Sequence, residues 1–344
     1  MNSTIRSRGE PISNACAQPL VSVVIINYNY GRYLRECIES VLRQNYERME
    51  VIVVDDGSTD ESRAVIESYG GRICCSFKPN GGVISATNYG FQLSRGSVVI
   101  FVDADDYLLP GAVNAHAEAL REPGVVRSQT YMTVQDATRS SGGRMPAKRA
   151  ADGDLRELIL ERGPGAYVCP PTSGNAWARS FLEQIFPLSD GLKGVPQDAL
   201  LMDAAPLFGK TVTLERRGAA YRMHSNNASA ALAGMTLDNI QKILEQYEKR
   251  STRLAELATT LGHGASPAIW KASNWRVLTL EYLSRRLSPR FGGPRSAKHL
   301  AAAFKIRGAL LKRLVVAGVI LGIRLAPTKM ALRIASRVIE LRSM

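Results

Sequence analysis

The sequence predicts an α/β fold, a mostly parallel sheet flanked by helices, with a helical C-terminal extension. Three features carry that prediction. Short apolar runs rich in Val, Ile and Phe recur in the first third of the chain, at residues 20–26, 51–54, 73–77 and 98–102. Segments of helical period separate them, so the crossovers are expected to be right-handed and to leave neighbouring strands parallel. Several runs stop abruptly in polar or acidic loops. A parallel sheet collects such loops at the carboxyl ends of its strands, where open α/β sheets bind ligands, and here they outline a nucleotide-sized cleft.

The first run ends in Asn27-Tyr28-Asn29-Tyr30-Gly31, after which Leu34, Ile38, Val41 and Leu42 recur at helical spacing. The second ends in Asp55-Asp56-Gly57-Ser58, and Ser58 with Glu61 has capping-box spacing, so a helix is expected directly after the acidic turn. The third leads through Pro79-Asn80-Gly81-Gly82 into a helix over residues 83–93, and Gly96 breaks the chain before the fourth. That fourth run stops in Asp103-Ala104-Asp105-Asp106. Asp103 and Asp105, two apart at a strand end, can converge on one hard cation; the alternative is a solvated, helix-capping turn. Neither a Gly-x-Gly-x-x-Gly turn nor a P-loop follows the first run, so a dinucleotide-dehydrogenase reading fails. A diphosphate would need a different anchor, and a divalent ion on this acidic pair supplies one.

Taken together, Val23-Val24-Ile25-Ile26-Asn27-Tyr28-Asn29, Val53-Val54-Asp55-Asp56-Gly57-Ser58-Thr59-Asp60, Asn80-Gly81-Gly82 with Asn88-Tyr89-Gly90, and Phe101-Val102-Asp103-Ala104-Asp105-Asp106 resemble the motifs of family 2 glycosyltransferases of the GT-A fold, closely over residues 20–113. The resemblance implies an inverting transfer of a sugar from a nucleotide donor, usually a UDP-sugar, to a hydroxyl of a glycan or lipid-linked acceptor, in cell-surface polysaccharide or glycolipid synthesis. It assigns Asn27, Tyr28, Asn29 and Asp55 or Asp56 to the base and ribose, Asp103 to the ribose or donor sugar, and Asp105 to a Mg²⁺ or Mn²⁺ ion on the diphosphate. Many relatives carry an Arg just before Asn88, where this chain has Thr87. Lys78 is the expected substitute, and Asn88 stays among the nucleotide-binding residues.

The same resemblance puts the catalytic base at Asp198, within Val195-Pro196-Gln197-Asp198, with Gln197 in place of the usual Glu. A plain helix cap is the competing reading of Asp198, and Asp203 is a rival base. Tyr221-Arg222-Met223-His224 is similar to the Tyr-Arg-x-His ending of many bacterial relatives, which makes His224 a metal ligand or a structural residue. Thr172, Ser173 and Asn175 fall on the acceptor-facing wall, or on a surface turn. Two other classes share the cleft: a nucleotidyltransferase, which would want a Gly-rich phosphate loop, and an inactive sugar-nucleotide-binding relative, which would lose the acids this chain keeps.

The expected division is a loose tail over residues 1–19, a catalytic domain over 20–235 and a helical, basic region over 236–344. A 344-residue chain with 45% hydrophobic residues can bury that much core. Residues 121–163 read as edge strands with a mobile loop around Ser140-Ser141-Gly142-Gly143. Helical spacing returns at Ile240, Ile243, Leu244 and Tyr247, and Gly292-Gly293-Pro294 marks a hinge. The five cysteines form no zinc or redox spacing, and the polar first residues resemble no signal peptide, so a reduced cytoplasmic setting is expected. Of the net charge of +13, residues 298–344 contribute +9, with ten basic side chains against Glu340. That segment lacks the aromatic interleaving of a nucleic-acid surface. It fits an anionic membrane better: Leu310, Leu311, Leu314 and Val315 share a helical face flanked by Lys312, Arg313 and Arg324, and the apolar stretch over 314–323 is shorter than the roughly 20 residues of a span. The expectation is a peripheral enzyme on the inner face of the plasma membrane, against a basic helix packed on the core.

Overall fold

A computed structural model describes residues 18–135, 141–224, 236–287, 318–323, 325 and 330–331. Its N-terminal half alternates β1 (Val21–Asn27), α1 (Gly31–Leu42), β2 (Met49–Asp55), α2 (Ser62–Glu67), β3 (Cys74–Phe77), α3 (Val83–Leu93) and β4 (Val98–Asp103). The four strands pair in parallel in the order β3-β2-β1-β4. Both faces are covered. Val21, Val23 and Ile25 point into a core with α1, while Val24 and Ile26 point into the opposite core below α3. That double burial is why these strands read as continuous apolar runs. At Gly90 of α3 an added Cβ would come within 2.4 Å of Val24 Cγ1, so the glycine allows the helix to sit directly on the sheet.

The second half is mixed. It adds β5 (Tyr107–Leu108), α4 (Ala112–Ala119), β6 (Val125–Gln135), β7 (Ser141–Met145), α5 (Arg156–Arg162), β8 (Asn175–Ala178), α6 (Arg179–Ile185), α7 (Gln197–Phe208) and β9 (Lys210–Arg222). β8 is antiparallel to both β4 and β6, β5 to β9 and β7 to β6, while β6 and β9 run parallel. The predicted mostly parallel sheet is therefore a mixed one. β6 is also no edge strand: it lies between β8 and β9. Its Arg127, Ser128, Gln129 and Thr130 are all buried, and a strand with a polar buried stretch looks like an exposed one in sequence. Residues 136–140 of the expected mobile loop lie outside the described residues.

Helix α2 begins at Ser62, later than the capping-box spacing suggested, and the Ser62 amide donates to Asp60 Oδ1 at 3.0 Å. Ser58 is occupied in the site below. The C-terminal helices α8 (Leu237–Thr260), α9 (Pro267–Ser273) and α10 (Trp275–Leu287) are packed onto the sheet domain. Ile159, Leu207, Leu254, Ala258 and Trp270 share one core, and the Trp270 indole donates to Leu160 O at 2.7 Å. Ile320, Ile323 and Ala331 are buried against Ile240, Leu278 and Leu283, so the far C-terminal segment reaches back to α8 and α10. Leu310, Leu311, Lys312, Arg313, Leu314, Val315 and Arg324 lie outside the described residues. Among the described residues no helix is long and apolar enough to cross a membrane.

Candidate active site

Strand register assembles the site. Asn27 pairs with Asp55 and Ile26 with Asp103, so three strands end side by side in polar residues. Asn27 Nδ2 donates to Asp55 Oδ1 at 2.7 Å, the Ser58 hydroxyl donates to the same oxygen at 2.6 Å, and the Ser58 amide donates to Oδ2 at 3.0 Å. Ser58 Oγ accepts from the Asn29 amide at 2.9 Å, and Asn29 Oδ1 accepts from the Thr59 amide at 2.8 Å. Asn29 holds φ 58°, a left-handed conformation that asparagine tolerates, and so turns the loop back onto the second strand end. Asn27 and Asp55 are buried supports, whereas Tyr28 and Asn29 are exposed above them.

Asp56 is equally committed. It accepts from Lys78 Nζ at 2.5 Å and from the Gly81 and Gly82 amides at 3.0 and 2.8 Å. Lys78, expected to replace a missing phosphate or base contact, is held in that ion pair. Asn88 is held by the chain itself: its amide pairs with the backbone of Leu188 in both directions, each at 2.8 Å, and fixes the loop before α7. Thr87 is fully buried, with its hydroxyl on Val83 O at 2.7 Å, so this side chain does not reach the cleft.

At the end of β4, Asp103, Asp105 and Asp106 crowd together. Burial, then repulsion from Asp105 and Asp198, push the Asp103 carboxyl up to about 8. Burial also raises Asp105, against the pull of His224, and drives Asp106 well above the usual carboxylate range. Such a cluster calls for a cation. His224 Nε2 lies 3.0 Å from Asp105 Oδ2, its ring stacked on Tyr33 at 4.8 Å between centroids and tilted against Tyr30 at 5.6 Å. Among the described residues no three His, Cys, Asp or Glu side chains form a self-sufficient metal cage. Asp105 and His224 would be the two protein donors to a Mg²⁺ or Mn²⁺ ion, which would need further ligands from outside the protein.

Asp106 holds this wall in shape. Its Oδ2 accepts from the Ser173 hydroxyl at 2.7 Å and its Oδ1 from the Arg222 amide at 3.3 Å, while Ser173 Oγ accepts from the Asp103 amide at 3.1 Å. Ser173 and Asn175, expected to face the acceptor, are therefore fully buried brackets and not a surface turn. Asn175 Nδ2 donates to Pro170, Pro171 and Thr172 carbonyls. Thr172 lies beside Asp103 and Asp198, where its hydroxyl favours their ionised forms.

Asp198 sits in the first turn of α7, partly exposed, with Oδ1 accepting from the Ala199 amide at 2.7 Å. Pro196, not Asp198, is the capping residue. Burial raises the Asp198 carboxyl, and the Ala199 amide, Arg250, Thr172 and Arg127 oppose that rise. Asp203 is spoken for: Arg250 binds both its oxygens at 2.7 and 2.8 Å, and the Gly165 amide adds a third bond at 3.0 Å. Sequence reading missed Asp106, Tyr33, Arg127 and Arg250. Only Asp106 had a signal, as the third acid of a strand-end triplet; the others act through partners far away in the chain.

The architecture matches solved GT-A transferases. S. aureus TarS 1-349 in complex with UDP-GlcNAc superimposes with a TM-score of 0.54 at 17% identity, over 93% of this chain and 90% of that one. Mannosyltransferase PcManGT from Pyrobaculum calidifontis, in complex with GDP-Man and Mn²⁺, gives 0.50 at 18% identity, over 94% and 86%. The fold is that of the GT-A glycosyltransferases. In sequence, the chain is 31% identical to an uncharacterised glycosyltransferase of Nostoc sp. over 85% of its own length and 96% of that relative, and the family model "Glycosyl transferase family 2" matches residues 22–174. The protein belongs to glycosyl transferase family 2.

Proposed function

We propose that this enzyme is an inverting, metal-assisted glycosyltransferase that moves a sugar from a UDP-sugar to a hydroxyl of a glycan or lipid-linked acceptor. The observation that carries the reading is the convergence of Asp103, Asp105 and His224 from β4 and the end of β9 on one side, with Asp198 from α7 close enough to perturb Asp103. Inversion needs a single in-line displacement, in which one carboxylate takes the acceptor proton as the sugar leaves its diphosphate. Asp198 is that base. Tyr28 and Asn29 cover the nucleoside over the buried Asn27–Asp55–Ser58 support, Asp103 binds ribose or donor sugar, and Thr172 flanks the incoming hydroxyl. Asp105 and His224 would hold a Mg²⁺ or Mn²⁺ ion, which would offset the charge that builds on the departing diphosphate. TarS bound to UDP-GlcNAc and PcManGT bound to GDP-Man and Mn²⁺ support this donor and metal class by likeness of fold.

Asp198→Asn should lower kcat by about 10²–10⁴-fold while UDP affinity measured calorimetrically with Mn²⁺ stays the same, since only the transition state uses the proton-accepting oxygen. Near-normal turnover would remove Asp198 as base.

We also infer that the enzyme works on the cytoplasmic face of an anionic membrane, which brings it to a lipid-linked acceptor. The +9 carried by residues 298–344 supports this, as do exposed Leu321, Leu325 and Met330 on the segment whose Ile320 and Ile323 pack inward. The full chain should co-sediment with anionic vesicles at low salt and release at high salt. Equal partitioning onto neutral and anionic vesicles would end this part of the reading.

A further inference from the structure

Arg127 is the buried charge that the reaction above does not use. It lies inside β6 with no exposed surface. Its guanidinium donates to Asn175 Oδ1 from Nε and Nη2 at 3.0 and 2.7 Å, to Gln129 Oε1 at 2.7 Å and to the Tyr167 hydroxyl at 3.1 Å. It also stands over the Trp177 ring at 5.3 Å. These partners are all neutral. A buried cation with only neutral neighbours is costly, and a carboxylate farther off offsets part of that cost.

Both ends of the Arg127 network run to the same helix. Asn175 clasps the carbonyls of residues 170–172, which fixes Thr172, and Gln197 Nε2 of α7 donates to Thr172 Oγ1 at 3.5 Å. Tyr167, on the other side, donates its hydroxyl to the Met202 carbonyl, one turn along α7 from Asp198. The titratable and charged groups facing Asp198 can be enumerated by element: Asp103 from β4, Arg127 from β6, the neutral Cys169 thiol from the loop before β8, and Arg250 from α8. Arg250 is held in its two-point pair with Asp203. Arg127 has no such partner among its hydrogen bonds, and its charge acts on Asp198 beside the larger effect of Arg250.

We propose that Arg127 is a positioning residue for Asp198, aligning it through Tyr167 and the 170–175 turn and adding a second buried positive charge beside that of Arg250. This rests on Asp198 being the base. The neutral partners explain why an arginine is present at all: the planar fork satisfies four bonds at once while its charge stays unspent.

The test uses the full-length chain with Mn²⁺ and two readouts. One is UDP release from UDP-GlcNAc, UDP-glucose and UDP-galactose against pH; the other, independent of substrate, is ¹³C-carboxyl NMR titration of Asp198, assigned by its loss in Asp198→Asn. Arg127→Met should raise the Asp198 midpoint by about one pH unit or more, and cut kcat about tenfold on the acidic limb with UDP affinity little changed. Arg127→Lys should keep the wild-type midpoint and recover only part of kcat, because the charge remains and the fork does not. Gln129→Glu keeps the arginine but gives it a carboxylate, so it should shift the midpoint upward as Arg127→Met does, and it carries the test if Arg127→Met does not fold. An Asp198 midpoint unmoved by Gln129→Glu overturns the proposal. Normal turnover in Asp198→Asn would instead overturn the base assignment, and the NMR titration reports on Arg127 separately.

Discussion

The two halves of the sheet hold their polar residues by different means. In the nucleotide half, the bonds that shape the site join strand ends already brought side by side by parallel pairing: Asn27 to Asp55, Ser58 to Asp55, Asn29 to Thr59. In the second half, to which the proposal assigns the acceptor, they join residues that no register aligns, such as Asp203 with Arg250 of α8 and Asp106 with Ser173 and Arg222. The first kind of site follows from a short motif at the end of each strand. The second needs the whole chain folded, including helices beyond the matched family segment of residues 22–174.

The sharpest break of that contrast is at the junction of the halves. Asp105→Ala should abolish Mn²⁺-dependent UDP binding, a loss of about a hundredfold or more for a charged first contact to the ion, and EDTA should reproduce it on the wild-type chain. Calorimetric UDP affinity unchanged by either treatment would show that the acid cluster does not hold a cation.

Next in size is the clamp between sheet domain and C-terminal helices. Arg250→Met leaves Asp203 buried with a single remaining amide donor from Gly165, and should cost on the order of 3 kcal/mol of stability in denaturant unfolding. Asp203→Asn should cost less, since Asn still accepts a bond. If Arg250→Met unfolds at the wild-type midpoint, the C-terminal helices are an appendix to the acceptor half and not part of it.

The smallest effect tests whether the acceptor half stores a pH liability. His116 of α4 is fully buried, with Nδ1 3.0 Å from the Ser128 hydroxyl on β6, and burial holds its imidazole down at about 3. The unfolded chain takes up that proton near pH 6.5 and the folded one does not, so stability from this group is full above 6.5 and falls as pH drops toward 3. The crowded acids at the end of β4 have raised values and slope the other way, so the contribution has to be read as a difference. His116→Asn should flatten the decline of Tm between pH 6.5 and 4.5 relative to wild type; parallel curves would remove His116 as its cause.

How far the sequence could be read follows from the same contrast. Four apolar runs with polar ends located β1 to β4 because strands buried on both faces must be apolar throughout, and the loops after them were legible as a nucleotide cleft. The partners of Asn88 and Lys78 were not legible, because a polar side chain near a cleft looks the same in sequence whether it faces a ligand or, as here, Leu188 O and Asp56. Ser173 and Asn175 show the same limit: small polar residues after a pair of prolines resemble a surface turn until Asp106 and Arg127 are brought against them.

By itself, the sequence determined the alternating α/β half, the strand-end acids and the family they signal, since these depend on local period and on parallel pairing between successive strands. Only the tertiary structure decided that β6 is central, that Asp203 is spent on Arg250, and that Arg127 lies buried without an acidic partner near Asp198. Those facts depend on contacts between residues 40 or more apart in the chain, where hydrogen-bond partners are chosen by packing and not by spacing.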